Sequence, residues 1–138
     1  MVDDERTIRQ LCRLNLELSG MDVLEAEDGT SALDTARSER PDLILLDLMM
    51  PAPDGWQVAE ELGGDKDTRS IPIIFVTARN TPHDKECAFR IGAVDYVVKP
   101  FDPVALPSLV EQTLARIARG EREQVRRERF AQLRVQLA

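Results

Sequence analysis

Along this chain apolar runs alternate with amphipathic stretches, the pattern of a parallel sheet covered by helices on both faces, so the expected fold class is α/β. Ile8, Leu11, Cys12 and Leu18 recur near helical spacing ahead of Gly20, which predicts a first helix over about 5–19. Residues 22–26 read as a short strand. Glu27-Asp28-Gly29 is a turn, Thr30 or Ser31 caps a second helix, and Pro41-Asp42 stops it before the buried strand 43–46. A loop, residues 48–55, leads into a third helix from Gly55 to Leu62, with Gly63-Gly64 just beyond. Pro72 introduces the strand 73–76, Pro82 opens a helix running to Ile91, and Tyr96 to Val98 form the last strand. The final helix begins near Pro103 or Pro107. Pro107 inside a helix begun at Pro103 would remove a hydrogen bond, which favours the later start. After a break at Gly120, Phe130, Leu133 and Leu137 stand at helical spacing among arginines. The expected division is a body over 1–119 and a helical extension or linker stub over 120–138, its arginines on a solvated face.

Asp47, Thr77 and Lys99 each follow an apolar run. In an open parallel sheet the carboxyl ends of the strands share one rim, so these three should meet in space. Asp3 and Asp4, after Met1 and Val2, add two carboxylates. Unit charges about 4 Å apart repel by roughly 4 kcal/mol at an effective dielectric of about 20, and a divalent cation removes that conflict. An all-oxygen donor set with room for water suits Mg²⁺, which often shares its sphere with phosphate oxygens. Lys99 would pair with Asp47 or with a phosphoryl oxygen, Thr77 would offer its hydroxyl, and Asp47 would be the nucleophile that becomes an aspartyl phosphate.

Composition narrows the alternatives. The chain has 138 residues, 43% hydrophobic and 31% charged, enough for one domain. No apolar run approaches the roughly 18 residues of a membrane span, and the first residues lack a secretory pattern, so a cytoplasmic protein is expected. Cys12 and Cys87 form no C-x-x-C and read as core filler, and the single histidine, His83, cannot build a histidine metal site. Residues 1–119 hold 13 basic and 22 acidic side chains, which disfavours nucleic-acid binding, while 120–138 hold five basic and three acidic. A nucleotide- or flavin-binding module would want a glycine-rich or hydroxyl-rich phosphate loop after the first strand, and none is present.

The chain resembles the receiver domain of two-component response regulators. The residues that carry the likeness are D-D-E at 3–5, P-D-L-I-L-L-D-L-M-M-P-A-P-D-G at 41–55, V-T-A at 76–78 and D-Y-V-V-K-P-F at 95–101. The resemblance implies a flavodoxin-like, doubly wound, five-stranded parallel sheet of order 2-1-3-4-5 with five helices. It makes Asp47 the phosphorylated residue, and assigns Mg²⁺ to Asp3, Asp4, Asp47 and the backbone carbonyl of Met49. Thr77 and Lys99 keep their phosphoryl contacts, Tyr96 becomes a rotameric switch with Thr77, and the Lys99–Pro100 bond is expected cis.

The implied partners are a histidine kinase or histidine phosphotransfer protein, and a downstream target reading the surface of the fourth helix, fifth strand and fifth helix. A homodimer through that surface is a further expectation, whereas nucleic acid and membranes are not expected partners. The first helix, with Ile8, Leu11 and Cys12, is the expected kinase-docking surface. With no output domain recognised, a stand-alone regulator is expected; the alternatives are a phosphorylation-independent interaction module and a fragment of a larger regulator. Receivers usually carry about five apolar residues before the acid pair, and here only Met1 and Val2 precede it. A truncated first strand is therefore expected, from a start downstream of the true one or a trimmed chain.

Overall fold

The computed structural model describes the backbone of residues 1–137 and side chains as far as Arg134. In chain order the elements are α1 (Arg6–Leu18), α2 (Gly29–Glu39), β1 (Ile44–Leu46), α3 (Gly55–Gly64), β2 (Ile73–Thr77), α4 (Pro82–Ile91), β3 (Asp95–Val98), α5 (Leu106–Ala118) and α6 (Arg122–Leu137). The three strands form a parallel sheet in the order β1-β2-β3, with Leu46 opposite Phe75 and Thr77 opposite Val98.

Alternation along the strands divides the interior into two cores, because successive side chains leave a strand on opposite faces. Ile74 and Val76 of β2 join Leu45, Val94, Cys12, Leu16, Leu106 and Val110 in the core beneath α1 and α5. Phe75 points the other way, into a core with Leu46, Tyr96, Val58, Leu62, Ala88 and Phe89 beneath α2, α3 and α4. This is the doubly wound α/β arrangement expected from the sequence.

Two of the five expected strands are reduced. Val2 makes isolated parallel bridges to Ala26 on one side and Leu46 on the other, which preserves the order 2-1-3-4-5. Residues 22–25, however, form no strand. Their partner ends at Met1, whose ammonium donates to the Leu24 carbonyl at 2.8 Å, and a strand exists only where a neighbour satisfies its backbone groups. Behind Met1 lies a cleft of about 630 Å³ bordered by Leu16, Val23, Ile44, Leu45 and Val110.

Helix ends also differ from expectation in instructive ways. Asp28, not Thr30 or Ser31, caps α2 by accepting from the Ser31 N–H at 2.8 Å. Asp54 caps α3 in a reciprocal box with Gln57, and the helix runs on through Gly63 and Gly64, two residues beyond the expected end at Leu62. α5 starts at Leu106, with Pro107 in its first turn, where a missing N–H costs nothing.

The extension forms a separate helix after Gly120, but it is not a solvated one: α6 folds back onto α4, β3 and the end of α5. Leu137 lies beyond the described side chains. No helix among the described residues is long and apolar enough to cross a membrane.

Candidate functional site

The sheet rim collects the residues singled out from sequence. Asp47 is the residue after β1, held by its N–H bonded to the Val2 carbonyl at 3.0 Å. Thr77 ends β2, and its carbonyl accepts from the Lys99 N–H at 2.8 Å, which fixes where the lysine leaves β3. Lys99 and Pro100 are joined by a cis peptide bond, as is Ala52–Pro53. Asp3 follows the Val2 bridge, with its N–H bonded to the Ala26 carbonyl.

The Lys99 ammonium connects the carboxylates. It donates to Asp3 Oδ2 at 2.6 Å and to Asp47 Oδ2 at 3.1 Å, and stands 3.9 Å from Glu5 Oε1. Asp3 and Thr77 are wholly buried and Asp47 nearly so, while Asp4 is exposed. One carboxylate oxygen from each of Asp3, Asp4 and Asp47 lies within 4.8 Å of the others. The remaining oxygens are also engaged: Asp3 Oδ1 accepts from the Glu5 N–H, and Asp47 Oδ1 accepts from the Met49 N–H at 3.0 Å. Met49 thus meets the site through its amide, its side chain pointing largely to solvent.

Burial pushes the Asp3 carboxyl above the usual aspartate range, only partly offset by its bond to Lys99. Burial also works against the Lys99 ammonium, but the carboxylates of Asp3 and Asp47 outweigh it and hold the lysine above its ordinary value. The result is a charge-rich pocket with more carboxylate than cation. Its donors are all oxygen, one edge is open at Asp4, and three ligand atoms already converge. That donor set fits Mg²⁺, which prefers oxygen ligands and gives up its water reluctantly.

Gly55 faces the same loop. A Cβ there would run into the Asp47 carbonyl oxygen and stand 2.6 Å from Leu48 Cα, so only glycine lets α3 begin this close to Asp47.

A second network was not anticipated. The Tyr96 side chain is buried, and its hydroxyl donates to the Arg79 carbonyl at 2.8 Å in the loop between Thr77 and α4. The Arg79 guanidinium grips Asp84 at 2.8 Å, and Thr81 donates to the same carboxylate at 2.7 Å. The Arg79 hydrogen bonds hold the Asp84 carboxyl below its ordinary range, against the cost of burial. The N-T-P-x-D spacing announces a helix cap at Thr81, but the Arg79 pairing depends on the path of the loop. On α1, Cys12 is buried and Ile8 half-buried, so the exposed apolar residues are Leu11, Leu14 and Leu18 rather than the expected trio. The two cysteines are unpaired; Cys12 is core filler as expected, whereas Cys87 is half-buried with its Sγ 3.5 Å from His83 Nε2.

Comparison with known proteins places this architecture in a family. Residues 1–111 match the response regulator receiver domain model, and the chain belongs to that family. The alkaline phosphatase synthesis transcriptional regulatory protein PhoP of Bacillus subtilis is 43% identical over 116 residues, covering 84% of this chain and 48% of that protein. The Francisella response regulator 1452 receiver domain superposes with a TM-score of 0.77 at 30% identity, covering 84% of this chain and 94% of that one. Vibrio cholerae chemotaxis protein CheY4 gives a TM-score of 0.75 at 32% identity over 80% and 92% of the two chains. The chain spans about half the length of the curated relatives it matches.

Proposed function

We propose that this receiver accepts a phosphoryl group on Asp47 from a phosphohistidine of a kinase or phosphotransfer protein. The observation that carries the reading is the Lys99 ammonium bridging Asp3 and Asp47, with the Thr77 hydroxyl at the end of the adjacent strand. An Asp47 carboxylate oxygen forms the new O–P bond as the N–P bond of the donor breaks, and the imidazole leaves with the nitrogen's electron pair. Lys99 stays near Asp47 and exchanges a carboxylate partner for a phosphoryl oxygen, while the Thr77 hydroxyl donates to another. Asp3, Asp4, Asp47 and the Met49 carbonyl would hold Mg²⁺, which supplies charge neutralisation at the phosphoryl oxygens.

Thr77 and Tyr96 form the switch in this reading. Drawing Thr77 toward a phosphoryl group pulls the loop through Arg79, and with it the Tyr96 hydroxyl and the face made by α4, β3 and α5. Leu11, Leu14 and Leu18 on α1 form an apolar strip suited to a kinase or phosphotransfer helix. The Bacillus relative is named a transcriptional regulatory protein, and the match covers 48% of it. The module proposed here is the phosphorylatable half of such a regulator or a separate receiver, with the output read from the α4–β3–α5 face.

Trp56, packed 5.6 Å from Phe75 in the core beside the rim, is the single tryptophan and reports on the site. Titrating beryllofluoride with Mg²⁺ is expected to shift its emission saturably, and Asp47→Asn to abolish the shift. An unchanged spectrum and unchanged amide resonances at Thr77 would instead support a phosphorylation-independent interaction module.

A further inference from the structure

The helix that closes the chain occupies the face through which the proposed switch would signal. After α5, Gly120 at φ +80 turns the backbone, with the Gly120 N–H on the Ile117 carbonyl and the Glu121 N–H on the Arg116 carbonyl. α6 then lies against α4 and β3. Val125 is completely buried, and the Phe130 ring sits 5.2 Å from that of Phe89. The Arg126 guanidinium donates to the carbonyls of Phe89, in the last turn of α4, and Ala93, just beyond that helix. Arg129 reaches Asp95 Oδ2 at 3.0 Å, and Arg122 reaches the Ser70 carbonyl at 2.8 Å. Arg122, Arg126 and Arg129, expected on a solvated face, anchor the docked helix, while Arg127 and Arg134 remain exposed.

Among its described residues α6 buries only Val125 fully, with Phe130 and Leu133 partly buried against the core, and the rest of its hold is hydrogen bonds and ion pairs, whose net worth is small. Its link to α5 is a single glycine turn. Its attachment also adjoins the switch residue: Asp95 Oδ1 accepts the backbone N–H of Tyr96 at 2.7 Å while Oδ2 holds Arg129, so one carboxylate lies between the β3 backbone at Tyr96 and α6.

We infer that α6 is an intramolecular occupant of the α4–β3 face, and that phosphorylation of Asp47 weakens its hold so that a partner helix takes its place. The inference rests on the phosphoacceptor reading above. The vacated site would present the Asp95 carboxylate, the Phe89 ring and the terminal carbonyls of α4. It therefore fits a helix carrying guanidinium groups and an aromatic side chain in the pattern of Arg126, Arg129 and Phe130. Docked, α6 blocks any partner, a second copy included, that needs the same ground.

Hydrogen exchange on the full chain, with and without beryllofluoride and Mg²⁺, tests this. Amides of 122–134 are expected to lose about tenfold protection on activation, while those of β1 and β2 keep theirs. A labelled synthetic peptide of residues 121–134 is expected to bind the activated protein, and Arg129→Ala without activation, about tenfold tighter than the resting protein. Exchange of α6 unchanged while the Trp56 signal shows beryllofluoride bound would overturn the inference and leave the phosphoacceptor reading standing. Absence of any beryllofluoride response would remove that reading and the inference with it.

Discussion

Lys99 Nζ and Asp3 Oδ2 lie 2.6 Å apart although 96 positions separate the two residues in the chain. The pair exists because the carboxyl ends of parallel strands share a rim, and it places the Lys99 ammonium between two buried carboxylates. Replacing Lys99 with Met leaves Asp3 and Asp47 facing each other with no cation between them. Phosphorylation by acetyl phosphate is expected to slow by on the order of 10²-fold, the scale of losing one fixed charge at a transferring group. The fold is expected to lose about 1–3 kcal/mol in urea titration, part of it restored by Mg²⁺. Unchanged transfer kinetics would remove Lys99 from the site.

Gly55 sets how closely α3 approaches the acceptor loop. In Gly55→Ala the added methyl meets the Asp47 carbonyl and Leu48 Cα, so the loop must move. A loss of about 1–3 kcal/mol is expected, as for other overpacked sites. Phosphorylation should fall further than this stability loss explains when rates are compared well below the melting temperature.

The Arg79–Asp84 pair gives a pH signature. The Arg79 hydrogen bonds hold the folded Asp84 carboxyl below the ordinary aspartate range, so its contribution to stability is fully present above that range. It is lost as pH falls from about 4 through the lower folded value, because the unfolded chain then binds the proton first. Asp84→Asn is expected to flatten the stability profile in that window, read from urea midpoints between pH 5 and about pH 2. A profile identical to the parent's would show that the pair does not anchor the loop.

The cleft behind Met1 is lined by residues 22–25 on one side and Leu43, Ile44 and Leu45 on the other. Adding four apolar β-forming residues ahead of Met1 is expected to continue the Val2 bridges into a strand and order residues 22–25. Burying that many apolar side chains should stabilise the fold by about 2 kcal/mol or more, seen as a higher urea midpoint and slowed exchange at residues 23–25. No gain in stability would mean the cleft does not receive a strand.

Asp47, Thr77 and Lys99 were legible because an apolar run that stops at a polar residue marks a strand end, and strand ends of a parallel sheet converge. The five-strand expectation was only partly met because, of the strand-like residues 22–26, only Ala26 finds a bridge partner, at Val2. Pattern records local preference, and ladder formation needs a second backbone. Arg79 escaped notice because its partner is chosen by the path of a loop. On α6 the spacing of Phe130 and Leu133 announced an apolar face, but arginines read equally as solvated or as anchors. Only the carbonyls of Phe89 and Ala93 and the Asp95 carboxylate, brought together by the fold, decide for anchoring.

The central claim is that Asp47 is the phosphoacceptor. Incubating the protein with acetyl phosphate and Mg²⁺ and measuring intact mass, followed by peptide mapping, tests it most directly. The account predicts the mass of one phosphoryl group on the peptide containing Asp47, absent in Asp47→Asn and on omission of Mg²⁺. No added mass, or a phosphoryl group on another residue with Asp47→Asn unaffected, would contradict it.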